Sequence, residues 1–261
     1  MSLDVSGLTI EIDGTRVVDD LSFTVADGQR FGLIGESGSG KSLTILSLIG
    51  LAPEIATVTG SVRLDGREIL GLSERQLARI RGSEIAMVFQ DPLTALNPLR
   101  TIGRQIGEPL RLHGDVSKRQ AMSAAVDLAG EVGLPDPAGI VALFPHQLSG
   151  GQRQRVGIAM ALACRPSILL ADEPTTALDV TTQAQILDLF QRLVDERGSS
   201  LVFVTHDLAV LARVATDVTV LSQGRAVERG TVSGILRSPQ HAVTRGLVDA
   251  ARATTWTGGA E

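Results

Sequence analysis

Tyrosine is absent from the 261 residues, cysteine and tryptophan occur once each, and aromatic residues make up only 3%. The single cysteine, Cys164, excludes an internal disulfide and any cysteine-only metal cage, as expected in a reducing compartment. It follows the apolar run Val156–Ala163, so a buried core thiol is expected rather than a reactive one. No stretch approaches the 18 apolar residues of a membrane span, and the charge-free run between Lys41 and Glu54 is too short. Met1–Asp4 has no basic flank and no apolar signal segment, so the chain is not expected to cross a membrane itself. It can still dock onto a protein that does. A basic excess is also missing: 24 Lys and Arg stand against 29 Asp and Glu, a net charge of −5, which argues against nucleic acid as a partner. There is no internal repeat. What is present, 43% hydrophobic and 20% charged residues, excludes disorder and suits one large α/β domain or a core with a sub-domain.

The chain is organised around Gly35-Glu36-Ser37-Gly38-Ser39-Gly40-Lys41-Ser42, which fits G-x-x-x-x-G-K-[ST] at every position. An apolar stretch of strand length, Arg30–Ile34, precedes it, and a helical stretch, Leu43–Ile49, follows and is closed by Gly50. A glycine loop between a strand and a helix start is an anion site: its N–H groups point inward and the helix dipole adds about half a positive charge. Gly38 and Gly40 let the backbone approach a phosphate where a Cβ would intrude. Lys41 is placed to meet the β- and γ-phosphates, and the Ser42 hydroxyl to ligate Mg²⁺. The motif predicts binding of a nucleoside triphosphate.

Around this loop the pattern alternates. Leu8–Ile12, Val17–Val25 and Thr59–Leu64 read as strands, with turn signals at Asp13-Gly14 and Asp65-Gly66. Glu84–Phe89 reads as a strand ending at Gln90. Six prolines between Asp91 and Leu148, with helical stretches near 101–112 and 117–132, mark an inserted helical sub-domain at 91–148. Strand and helix then alternate again to about residue 240. The expected organisation is a single domain over 1–253, with a core of 1–90 and 149–240, and a loose tail at 254–261. The fold class is α/β, a mainly parallel sheet with an N-terminal antiparallel layer.

Two further motifs carry chemistry. Ile168–Ala171 is an apolar strand that ends in Asp172-Glu173, placing two carboxylates at the carboxyl edge of the sheet where α/β ligands bind. Adjacent strand residues diverge, so Asp172 suits Mg²⁺ and Glu173 is free to take a proton from an attacking water. In Leu148–Arg155, Ser149 is an N-cap, Gly150 and Gly151 leave N–H groups bare, and Gln152 sits at capping-box distance. By chemistry alone this is an ordinary helix cap or a second phosphate-grasping helix start.

Leu148–Gln152 resembles the signature motif of ABC-type ATPases. Gln90 resembles that family's Q-loop glutamine, Ala177-Leu178-Asp179 its D-loop, and His206, at the end of Leu201–Thr205, its switch histidine. The resemblance covers roughly residues 5–240. It implies a P-loop NTPase of ABC type in which two domains pack head to tail around two ATP molecules. Each ATP would bind Gly35, Ser37, Gly38, Ser39, Gly40, Lys41, Ser42 and Thr44 of one subunit, under Ser149, Gly150, Gly151, Gln152 and Asp179 of the other. Ser42, Gln90 and Asp172 would hold Mg²⁺, while Glu173, Gln90 and His206 would be catalytic.

Gln90–Pro98 is similar to the Q-loop stretch of the peptide/nickel importer subfamily, and Phe144–Gln147 and His241–Arg245 point the same way. That resemblance implies an ATPase on the cytoplasmic face of the membrane, with two transmembrane permease subunits and, indirectly, a solute-binding protein. It also implies a second ABC ATPase chain, a heterodimer being favoured because the subfamily often pairs two different chains. The cysteine-bearing tail of many members has no counterpart here, so no iron–sulfur cluster is expected. His113, His146 and His241 lack ligand spacing, so no nickel or zinc site is assigned. The alternatives are another ABC transporter, such as an exporter, or a soluble ABC ATPase. The first fits Gln90–Pro98 poorly. The second would need a coiled coil, a basic face or a second ATPase domain.

The family usually stacks an aromatic residue on adenine, and the matching position here is about Ile12. If Ile12 packs on the base, Ile12→Tyr should tighten ATP binding about two- to twelve-fold, from roughly 0.5–1.5 kcal/mol of aromatic contact. Equilibrium titration with a labelled ATP analogue checks this, and unchanged affinity would remove Ile12 from the base pocket.

Overall fold

Alternation near the N-terminus forms longer strands than the sequence suggested, β1 (Leu3–Ile12) and β2 (Thr15–Val25), joined where Asp13 and Gly14 both take positive φ. The computed structural model describes residues 1–176 and 178–256, without the side chains of Leu93 and Thr254–Trp256. After β2 come β3 (Arg30–Gly35), α1 (Lys41–Leu48), β4 (Ala56–Leu64), β5 (Arg67–Glu68) and α2 (Glu74–Ile80). Then follow β6 (Ile85–Val88), α3 (Pro92–Ala95), α4 (Ile102–His113), α5 (Lys118–Glu131) and α6 (Pro137–Ile140). A 3₁₀ turn at Pro145–Gln147 leads to α7 (Gly150–Leu162), β7 (Ile168–Asp172) and α8 (Val180–Arg197). The chain closes with β8 (Ser200–Thr205), α9 (Leu208–Val214), β9 (Asp217–Ser222), β10 (Arg225–Thr231), α10 (Val232–Arg237) and α11 (Ala242–Trp256).

These elements divide into two units, residues 1–77 with 200–261 and residues 78–199. The first unit contains an antiparallel sheet in the order β2-β1-β4-β5. In β1 the buried positions change parity, from Leu3 and Val5 to Leu8 and Ile10. A bulge between Val5 and Leu8, with Gly7 at φ 59, makes the shift. Without it one half of the strand would turn its apolar side chains to solvent. The same unit pairs β3 in parallel with β8 and β9, and β9 antiparallel with β10. α9 lies against β3 at Gly32, where a Cβ would come within 2.6 Å of Leu211.

The second unit pairs β6 in parallel with β7. It is wider than the helical stretch expected at 91–148, because it also takes in β6, α7, β7 and α8. Three of its helices start on local caps: Ser117 and Gln120 form a capping box on α5, Asp136 caps α6 and Asp179 caps α8. Glu131 and Arg197 join α5 to α8 by an ion pair at 2.6 Å. Of the expected tail, 254–256 belong to α11 and 257–261 lie outside the described residues. Expectations of the helical segments missed α11, in which Val248 and Ala251 are buried and Thr244 is fully enclosed.

Gly60 is the tightest backbone approach in the antiparallel sheet: φ is 110, and a Cβ would stand 2.6 Å from the Gly7 carbonyl oxygen. Backbone cannot yield there as a flexible side chain could. Gly60→Ala should destabilise the protein by about 1–3 kcal/mol, measured as a lowered denaturation midpoint.

Candidate functional site

In the first unit, β3 is buried from Phe31 to Gly35 and runs between β8 and β9, so it delivers the following loop at the carboxyl end of parallel strands. A Cβ at Gly35 would run into the Leu221 carbonyl oxygen of β9. One at Gly40, where φ is 96, would reach within 2.8 Å of Val18 and 3.0 Å of the Val17 oxygen on β2. Gly38 takes φ 78 in open space, so its requirement is conformational alone. Lys41 is only 4% exposed, and its Nζ donates to the carbonyl oxygens of Gly35 and Glu36, each at 2.8 Å. It also approaches the Ser39 hydroxyl at 3.5 Å.

α1 starts at Gly40 with no side chain capping its N–H groups and no acidic residue in its first turn. An uncapped helix start wrapped by glycine loop and lysine fits a polyphosphate. Ser37 is exposed, Ser39 buried and Ser42 partly exposed. Thr44 is fully buried and spends its hydroxyl on the Gly40 oxygen at 2.8 Å, so it supports the loop from behind. His206 is exposed and follows Thr205, which is paired with Ile34, so its backbone lies at the same strand edge as Gly35. Asp207 fixes that turn by accepting from the Ala209 N–H at 2.8 Å and the Val210 N–H at 3.3 Å. Ile12 ends β1 half-exposed, paired with Thr15 and Ala56.

In the second unit, Asp172 ends β7 and is 6% exposed, whereas Glu173 lies beyond the strand at φ 41. The two carboxylates were expected to diverge by strand alternation. Instead a left-handed residue turns the chain, a conformation costing a non-glycine residue roughly 1–2 kcal/mol. Gln90, exposed beyond β6, donates its Nε2 to the Glu173 carboxylate at 3.4 Å. Thr176 Oγ1 donates to the same oxygen at 2.9 Å. Thr176 escaped the sequence reading, although its i+3 spacing from Glu173 was a usable signal.

Ser149 caps α7 as expected: its hydroxyl accepts from the Gln152 N–H at 3.3 Å, and the Gln152 side chain accepts from the Ser149 N–H at 2.9 Å. Gly151 permits the start of α8 to lie close by, since a Cβ there would be 2.6 Å from Thr182. Ser149, Gly150, Gly151, Gln152 and Asp179 all line one open recess of about 530 Å³. Of the D-loop stretch, Ala177 lies outside the described residues.

The sequence pattern of the ABC transporter family matches residues 18–176. The chain belongs to the ABC transporter family. A Brucella melitensis (biotype 1) protein named for peptide import and ATP binding is 49% identical over 94% of this chain and 76% of its own length. An Agrobacterium fabrum protein named for peptidoglycan transport and ATP binding is 49% identical over 89% of this chain and 43% of its own. Among solved structures, the dimeric post-hydrolysis state of the ATP-binding cassette MJ0796, bound to ADP and Pi, matches with a TM-score of 0.79. That match has 30% identity and covers 88% of this chain and 98% of that one. The α/β fold is therefore that of an ABC cassette.

Asp179 gives this ABC chain a pH-dependent helix start. The Thr182 N–H, followed by the Thr182 hydroxyl, holds the Asp179 carboxyl below its ordinary value. A depressed carboxylate contributes stability above its unfolded pKa of about 3.9, and that contribution is lost as pH falls through the lower folded value. Asp179→Ala should lower the melting temperature at neutral pH, and its gap from wild type should close in melts run at progressively more acidic pH.

Proposed function

We propose that this chain is the ATP-hydrolysing subunit of a peptide importer, acting at the cytoplasmic face of the membrane. The observation that carries the reading is the Gly35–Ser42 loop, with its uncapped helix start and the Lys41 ammonium drawn onto the loop carbonyls. Among the described residues no helix is long and apolar enough to cross a membrane, so two permease subunits would supply the pathway. The relatives named for peptide and peptidoglycan transport support a peptide-class cargo, with choice among cargoes left to the permeases and a solute-binding protein. A second ABC ATPase chain, different from this one, would complete the pair.

Lys41 exchanges loop carbonyls for β- and γ-phosphate oxygens, and the bare N–H groups of α1 take the remaining charge. The Ser42 hydroxyl in the first unit and, in the second, the Asp172 carboxylate and Gln90 are each of a type that would ligate Mg²⁺, an ion that keeps its waters and binds phosphate. When bound there, Mg²⁺ would supply charge neutralisation on the phosphates. Glu173, steadied by Thr176, takes the proton of the attacking water, Gln90 orients that water, and His206 holds the γ-phosphate. Ser149, Gly150, Gly151, Gln152 and Asp179 would face the nucleotide of the partner ATPase.

In the assembled transporter, Glu173→Gln should retain ATP binding and slow turnover about 10²- to 10⁴-fold, as loss of a general base does. Lys41→Ala should instead weaken binding of a labelled ATP analogue. Turnover within two-fold of wild type in the Glu173 variant would remove that carboxylate from the role. A complex that hydrolyses no ATP in wild-type form would sink the whole reading.

A further inference from the structure

Gln154, in the second turn of α7, is 2% exposed, and its Nε2 is buried with no acceptor among the described residues. The Nε of Arg153 beside it is buried and unmet as well, although its Nη1 donates to the Leu148 oxygen at 2.7 Å. A buried donor without a partner carries its desolvation cost uncompensated, so such groups in folded proteins are met by protein or by ordered water. Both residues line one small cavity of about 130 Å³. Gln90 and Asp91, which follow β6, line it on one side, and Gly150 at the start of α7 on another. Pro174, directly after Glu173, and Leu178 of the D-loop complete it. Segments around Gln90, Gly150, Pro174 and Leu178 thus contribute to one space with a mostly apolar wall, in which Gln90, Asp91, Arg153 and Gln154 supply the polar groups, and which has room for a small cluster of waters at roughly 30 Å³ each.

We propose that Gln154 is a positioning residue for ATP hydrolysis, tied through ordered water in this cavity to the Gln90 segment. The amide donates into the cluster, the cluster bridges to the backbone around Gln90 and Asp91, and the start of α7 and the Gln90 loop keep one registration. Gln90, which meets Glu173 at 3.4 Å, is then held in place when the Ser149 end of α7 shifts. A buried amide that is unfavourable for stability and shares a cavity with Gln90 is the expected trace of such a link. The inference rests on the ATPase reading above.

The test compares Gln154→Leu, which keeps the side-chain volume and removes the donor, with Gln154→Asn, which keeps an amide that water can reach. Expected for Gln154→Leu are an unchanged or raised melting temperature and unchanged ATP affinity of the isolated chain. Amide hydrogen exchange at residues 89–92 should become faster. In the assembled transporter, kcat should fall about tenfold with KM unchanged, in line with losses of supporting contacts around reacting groups. Gln154→Asn should recover part of the rate. Wild-type kcat and unaltered exchange in Gln154→Leu would overturn the proposal. So would a loss of melting temperature that Gln154→Asn shares, because that is the mark of packing alone. No hydrolysis by the wild-type complex would overturn the ATPase reading and this inference with it, whereas normal hydrolysis by both wild type and Gln154→Leu would overturn the inference alone.

Discussion

A nearly buried ammonium held by two backbone carbonyls is the contact on which the first unit depends. Lys41 has lost most of its water, and the Gly35 and Glu36 oxygens replace it at 2.8 Å. That compensation exists only while the loop stays curled around the lysine. The curl is enforced from outside: the Leu221 carbonyl of β9 excludes a side chain at Gly35, and Val17 and Val18 of β2 exclude one at Gly40. β9 and β2, from different sheets of the unit, thereby shape one short loop. Thr44 adds a third constraint by tying its hydroxyl to the Gly40 oxygen. The result is a preformed cradle around the cation, and under the function proposed above Lys41 would trade carbonyl oxygens for phosphate oxygens at little reorganisation cost, as electrostatic stabilisation of a transferring group requires.

The second unit reaches its chemistry by another route, through chain turns and helix starts. Glu173 sits in left-handed backbone so that its carboxylate leaves the plane of β7 while Asp172 remains buried at the strand end. Gln90 and Thr176 both reach the same Glu173 oxygen, one from beyond β6 and one from three residues downstream. The starts of α7 and α8 meet where Gly151 faces Thr182, and the hydroxyl of Thr182 is already engaged by Asp179. A single small residue thus lets two capped helix ends share one recess. The strain at Glu173 and the unmet donors of Arg153 and Gln154 are local conflicts at or near the residues proposed above for hydrolysis. Conflicts of this kind are expected to collect where function, rather than stability, chose the residue.

Contacts spanning three or four residues were legible in the chain itself. The helix start after the glycine loop, the Ser149–Gln152 box and the turn at Asp13-Gly14 are encoded by residue type at fixed short spacing, and each forms as read. So was the alternation of strand and helix that placed Asp172, His206 and Gly35 at strand ends. The tertiary structure alone decided the features that depend on residues far apart in sequence. The parity change in β1 needs Gly7 and Gly60 to meet across two strands, and the requirement for glycine at position 35 comes from β9, nearly two hundred residues later. The cavity at Gln154 is lined by Gln90, Pro174 and Leu178, drawn together from separate segments of the chain. Periodicity records which face of an element is apolar, but not which distant backbone will press against it. The sequence therefore determined the chemistry of each segment, and long-range packing determined which segments are held rigid.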